Sequence, residues 1–331
     1  MVLDSRSGVV KTVVFHPDGK HLLSGTSDGI RRWRLADGQE VGKELGMVII
    51  YAIAVSRDGK WIVCGTFKGA NVWDGEMRKK GIDVEGTSTV GAVDVSPDST
   101  RFATGTDEDG ASIWSIASGK RLVGPLNHDG LVNGIRFSPT GEHVATACHT
   151  GIHAFDSHTG DKLVSIKIDM PGWIAITPLA WSSDGQQIFA ASTDNRIRSF
   201  NVSTGSQIAE SRLLHDGNED VYSIALVGDG KFIATFARHL ISFLDTSTLT
   251  QISPVIEDSE QRWSIAVSVD SRYLATGQGG GKIILRDVSD ILPDSAYGPF
   301  PVSSSVCAFI LWACWRSPIP SPMLTDYIGT H

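Results

Sequence analysis

Long hydrophobic runs are missing from this sequence. The longest, Val306–Trp315, has ten residues, about half of what a membrane-spanning helix needs. The opening MVLDSRSG has no basic stretch leading into an apolar core, so no secretory leader is expected. Cysteine is scarce: Cys64, Cys148, Cys307 and Cys314 are the full set, with no CxxC pair. A reducing compartment is expected, and a disulfide framework is not. Basic charge is in deficit, with 29 Lys and Arg against 37 Asp and Glu and a net charge of −8. That argues against the basic footprint of non-specific nucleic-acid binding and against docking on anionic lipid. Sustained 3.6-residue periodicity is absent from 1–288, so helix is not expected there. The expectation is a cytoplasmic protein with no nucleic-acid or membrane partner, a nuclear location being left open.

Glycine is plentiful, 35 of 331 residues, and its spacing is regular. The turn at Asp18-Gly19 recurs as Asp58-Gly59, Asp98-Ser99, Thr140-Gly141, Asp184-Gly185, Asp229-Gly230 and Asp270-Ser271, in steps of 40–45 residues. A period of that size with several β signals per unit marks a propeller array. Before each turn stand apolar pairs two apart: Val13/Phe15, Ile53/Val55, Val93/Val95, Ile135/Phe137, Leu179/Trp181, Ile224/Leu226 and Ile265/Val267. Period two with β-branched and aromatic residues is a strand with a buried face. The residues between them are Val14, Ala54, Asp94, Arg136, Ala180, Ala225 and Ala266. Five of the seven are apolar and mostly small, which fits an inner strand crowded at a propeller axis. A second strand follows each turn, and a third ends at Trp33, Trp73, Trp114, Phe155, Phe200, Leu244 and Leu285.

FHPDGKHLLSGTSDGIRRW, VSRDGKWIVCGTFKGANVWD and FSPTGEHVATACHTGIHAFD resemble WD40 repeats, and the resemblance covers about 9–288. It implies an all-β, seven-bladed β-propeller with four-stranded antiparallel blades. The expected propeller occupies 1–302, with repeats starting near 9, 49, 89, 131, 175, 220 and 261. The segment 303–331 is expected to be an irregular tail or a vestigial eighth repeat of a longer fungal or bacterial array. Six of the thirteen prolines lie between Pro293 and Pro322, and within that stretch Ala296–Phe300 is a candidate for the outer strand of the last blade. The resemblance also implies a His–Ser/Thr–Asp–Trp hydrogen-bond set in well-formed repeats. Asp28 with Trp33 and Asp109 with Trp114 supply two members, but Arg6 and Gly86 stand at the histidine position. Repeat four has His128, with Thr150 and Phe155 in place of Asp and Trp. Blade stability is therefore expected to rest on apolar packing and strand ladders, with Trp73 as an anchor of blade two.

Several patterns imitate catalytic or metal chemistry. GTSDG (Gly25–Gly29) satisfies the GxSxG elbow, which needs a strand-to-helix turn to expose its serine. Here it lies between two strands, and its counterparts read GTFKG and GTDEDG. GQGGGK (Gly277–Lys282) lacks the first glycine, the Ser/Thr and the helix of a phosphate-binding loop. His128, His143, His149, His153 and His158 crowd one repeat with Cys148, but they do not read as a tetrahedral set. Asp107, Glu108 and Asp109 read as a solvated turn. Asn201-Val202-Ser203 is a sequon expected to go unused. No enzyme, metal or cofactor is expected.

A propeller without chemistry is expected to present a protein- or peptide-binding surface, as a monomeric ring. The alternative is a ligand-sensing or recognition array taken from a larger multidomain regulator, signalling or NLR-like. A propeller enzyme would need acids or amides from several blades converging on the axis, and the matched positions do not supply them. In the family, two repeat positions lie at the upper mouth of the ring. Carried over, the first set is Lys11, Tyr51, Gly91, Asn133, Thr177, Tyr222 and Trp263. The second is Ser27, Phe67, Glu108, His149, Thr193, Arg238 and Gly279. Tyr51, Phe67, Tyr222, Trp263 and Arg238 are of the types that dominate interface hot spots, with Glu108 and His149 beside them.

Overall fold

The computed structural model describes residues 1–293 except 7, 43–47, 78–79, 87, 149, 168–178, 193, 213, 215–220, 238 and 258–261. The side chains of 85, 192, 262 and 263 also lie outside the description. The β periodicity of the sequence is realised throughout, in six four-stranded antiparallel sheets and one of three strands. Each sheet is one blade. Blade 1 comprises Thr12–Phe15, His21–Gly25 and Ile30–Arg34, widened by a single bridge from Trp33 to Glu40. Blade 2 comprises Ile50–Val55, Trp61–Thr66, Gly69–Asp74 and Lys80–Glu85. Blade 3 runs Val90–Val95, Arg101–Thr106, Ala111–Ser115 and Arg121–Leu126. Blade 4 runs Val132–Phe137, His143–Cys148, Gly151–Asp156 and Lys162–Lys167. Blades 5 and 6 repeat the order from Leu179–Trp181 and Val221–Val227. There is no helix among the described residues, hence none long and apolar enough to cross a membrane.

Blade 7 corrects one expectation. Its inner three strands are Arg262–Val267, Tyr273–Gln278 and Lys282–Asp287, but its outer strand is Val2–Asp4, antiparallel to the third. The place anticipated for Ala296–Phe300, which lies outside the described residues, is filled from the other end of the chain. The two ends of the repeat array are thereby joined, and the Val13 amide donates across the seam to Ser264 Oγ at 3.1 Å. Closure by pairing covers the edge of Lys282–Asp287 and leaves only a three-residue strand at the rim of the last blade. The proposed tail 303–331 also lies outside the described residues.

The core is divided among the blade interfaces. Seven apolar clusters each draw on two neighbouring blades. Ile53 and Val55 pack toward blade 1, while the intervening Ala54 packs toward blade 3. The inner strand is buried on both faces, which is why its alternate residues are small. Glycine recurs for the same reason: a Cβ on Gly65 would stand 2.4 Å from the carbonyl oxygen of Val90 in the next blade. On Gly25 it would meet Ile50 at 2.7 Å. The GTSDG glycine thus serves blade packing, and Ser27 Oγ donates to its neighbour Asp28 at 3.0 Å.

The exceptions among the small residues have found each other. Asp94, fully buried, accepts the Phe137 amide at 2.8 Å and faces Arg136 of the next blade at 3.8 Å.

At the opposite end of the ring from the mouth, the Asp-Gly turns are built alike. Ser56 Oγ donates to Asp58 Oδ1 at 2.7 Å and accepts the Trp61 amide at 2.9 Å. Ser96 and Asp98 do the same in blade 3, as do Ser268 and Asp270 in blade 7. Blade 1 substitutes His16 and His21 around Asp18. Burial opposes ionisation of Asp18, but the His21 hydrogen bond, the Lys20 amide and the charges of His16 and His21 prevail, holding its pKa at about 2.

Candidate protein-binding site at the upper mouth

The mouth residues owe their position to an irregularity repeated from blade to blade. In blade 2, Ile50 pairs with Thr66 and Ala52 with Gly65, so Tyr51 is an extra residue in a β-bulge. Gly91, Asn133, Tyr222 and Trp263 occupy the same bulge in blades 3, 4, 6 and 7. A bulge re-aims a side chain out of the alternation of its strand. The sequence carries a sign of it that pair-counting misses. Ile50 precedes Ile53 by three rather than two, as do Val90 and Val93, Val132 and Ile135, and Val221 and Ile224. A slip of phase at one point in an alternating run is an extra residue.

The turn after the second strand brings the other set to this end of the blade. Phe67 follows Thr66, itself paired with Ile50, and is 45% exposed. Lys68 holds its ammonium 5.3 Å from the Phe67 ring centroid. Glu108 is exposed on the corresponding turn of blade 3. Tyr51 is half-buried against the core between blades 2 and 3, with Lys11 of blade 1 poised 4.3 Å over its ring. Burial lowers the pKa of that Lys11 ammonium. Tyr222 is half-buried, 6.2 Å from Phe236 between ring centroids. The sequence does not pair the two lysines with the aromatic residues, since cation–π pairing across blades or along a turn leaves no periodic trace. His149 and Arg238 lie outside the described residues, as does the side chain of Trp263.

The structural set is present only in halves. Trp33 is buried and its Nε1 donates to Ser24 Oγ at 2.9 Å. Trp114 Nε1 donates to Thr104 Oγ1 at 2.9 Å. Trp73 has Cys64 in that register place and is only half-buried, with the Lys80 ammonium 5.8 Å from its ring. Phe155 and Phe200 are buried in the corresponding places. Asp28 is exposed and its amide donates to Thr26 Oγ1 at 3.1 Å. Asp109 accepts the hydroxyl of Ser88, so the donor to this carboxylate stands two residues beyond the anticipated Gly86. His128 Nε2 lies 2.7 Å from Thr146 Oγ1, and its Nδ1 lies 2.6 Å from the Leu126 carbonyl oxygen.

Among the described members of the histidine cluster, His128 and His153 meet with ring centroids 5.4 Å apart, and His153 Nε2 lies 3.7 Å from Cys148 Sγ. Among the described residues no three His, Cys, Asp or Glu side chains are grouped to hold a metal. His153 is buried, and that burial, aided by the charges of Lys162 and His128, lowers its pKa to about 4. Burial lowers that of His128 too. An unfolded histidine titrates near 6.5, so the unfolded chain takes up this proton first as pH falls. Stability from His153 is therefore complete above about pH 6.5 and is lost between about 6.5 and 4. Urea midpoints measured across that window should fall for the wild type and fall less for His153→Gln. Parallel curves would show that His153 titrates normally.

The repeat family WD domain, G-beta repeat, matches residues 2–30, 120–156 and 173–201, three segments within the seven blades just described. The chain is a WD40-repeat propeller. The propeller is similar to small ribosomal subunit protein RACK1 of Caenorhabditis elegans, 31% identical over 159 residues, covering 45% of this chain and 48% of that protein. It is also similar to MST50-interacting protein 11 of Pyricularia oryzae, 27% identical over 258 residues, covering 60% of this chain and 80% of that protein. The match to the first spans about half of that relative's length. Likeness of this WD40 propeller to such proteins supports a protein-interaction scaffold in general terms.

Proposed function

We propose that this propeller is a non-catalytic, cytoplasmic scaffold that holds a peptide segment of a partner protein across its upper mouth. The observation that carries the reading is the repeated bulge. It takes one residue out of the packed alternation in each of blades 2, 3, 4, 6 and 7, and in blades 2, 6 and 7 that residue is Tyr51, Tyr222 or Trp263. Phe67 adds an aromatic ring that is 45% exposed. Tyr and Trp give large contact area for little conformational entropy. One relative is named for interacting with another protein, which agrees with the reading. The acidic balance, −8 overall, favours basic segments.

The test is capture of partners on the immobilised full chain from a lysate of its own source. Phe67→Ala combined with Tyr222→Ala should lower retained partner by on the order of 30-fold or more, corresponding to about 2 kcal/mol or more. Lys60→Ala, at the far end of the ring and 74% exposed in its side chain, should retain it in full. Equal yields from the double variant and the wild type, both folded, would place the working surface elsewhere.

A further inference from the structure

Comparing blades 3 and 4 exposes a gap. In blade 4, His128 stands four residues before Val132 and its ring fills the space beside Thr146 and Phe155, 5.5 Å from the Phe155 ring centroid. Four residues before Val90, which opens blade 3, stands Gly86. Thr104 and Trp114, the counterparts of Thr146 and Phe155, therefore receive no side chain from the position that His128 holds in blade 4. A Cβ on Gly86 would find its nearest neighbours 3.9 Å away. The result is a cavity of about 580 Å³ between blades 2 and 3, with Ser88, Thr104, Glu108, Asp109, Trp114 and His128 among its walls. It lies beside the Phe67 and Glu108 turns of the mouth.

We propose that this cavity takes the arginine side chain of a partner peptide, an inference that rests on the upper mouth being the working surface. Two exposed carboxylates, Glu108 and Asp109, line it, against one cation, Arg121. Burial disfavours the charged form of His128. Arg121 already lies over the indole of Trp114, its guanidinium carbon 5.8 Å from the ring centroid, so this aromatic wall accepts a planar cation. Asp109 uses one oxygen to accept from Ser88, and its other oxygen and the Glu108 carboxylate can accept from a fork of N–H donors. The volume is within the range of ligand pockets. An anionic group would meet both carboxylates, and an aliphatic one would bring no donor to the second Asp109 oxygen or to the Glu108 carboxylate.

The probes are two capped tripeptides, Gly-Arg-Gly and its neutral isostere Gly-citrulline-Gly, titrated into the full chain. The reading is the indole N–H resonance of Trp114, assigned by its loss in Trp114→Phe. The arginine peptide should give a saturable shift with an affinity at least tenfold tighter than citrulline. Glu108→Gln should weaken it by about three- to tenfold. Gly86→His, which places an imidazole in the gap, should abolish the shift while the melting temperature stays the same or rises. Equal affinity for the two peptides, no saturation by about 10 mM, or undiminished binding to folded Gly86→His overturns the proposal. If Gly86→His fails to fold, the citrulline comparison and Glu108→Gln still decide it. Loss of partner capture in the Phe67→Ala, Tyr222→Ala variant without arginine binding would sink the cavity proposal and keep the scaffold.

Discussion

Removing residues 1–5 should open the ring. Those residues supply the outer strand of blade 7, with Leu3, 2% exposed, buried in the core between blades 7 and 1. Ser5 Oγ donates to the Gly281 carbonyl at 2.6 Å, and the Met1 ammonium to that of Leu285 at 2.8 Å. Loss of one buried leucine side chain alone costs about 2–5 kcal/mol, and the lost ladder adds to it. The strand Lys282–Asp287 also becomes an open edge, a template for pairing between chains. The truncated protein should melt well below the wild type and self-associate in sedimentation. Truncation after 302 should leave the far-UV spectrum and melting temperature unchanged. Equal losses from the two truncations would show that the outer strand of blade 7 is not what closes the ring.

Asp94→Ala should be among the most damaging single substitutions in the inner strands. It leaves the Phe137 amide without the acceptor it has at 2.8 Å and takes from Arg136 the carboxylate that faces it, in a site where Arg136 is only 7% exposed. Breaking a buried pair from one side costs about 3–5 kcal/mol, because the remaining charge stays desolvated. Adding Arg136→Met should recover part of that loss, since an apolar side chain of similar length suits the interface. A denaturation cycle on the two single variants and the double reads the coupling. Additive losses would mean that the two residues act independently.

These residues show where the sequence is silent. Asp94 and Arg136 break the run of small apolar residues in their strand position, and nothing in the repeat pattern says that each compensates the other. They are neighbours because successive repeats become successive blades. The phase slip at Ile50, Tyr51 and Ala52 was legible in principle, yet only the pairing register turns it into a bulge that lifts Tyr51 out of the alternation. Lys11 over Tyr51 could not be read at all, because it joins two repeats through their side chains.

The sequence by itself determined the number of blades, their inner three strands and the turns between the first two. Each of these is a local matter of period-two apolar patterning punctuated by Asp-Gly and related turns, repeated seven times at intervals of 40–45 residues. The tertiary structure decided how the ring is closed, which of the residues expected at the mouth are exposed, and where a cavity is left. Closure is a long-range event: Val2–Asp4 pairs with Lys282–Asp287 through three residues that carry too little pattern to announce it. Exposure at the mouth depends on neighbouring blades, which half-bury Tyr51 and leave Phe67 open. The cavity between blades 2 and 3 exists because Gly86 removes a ring from a space that three other chain segments define, and no single repeat contains that space.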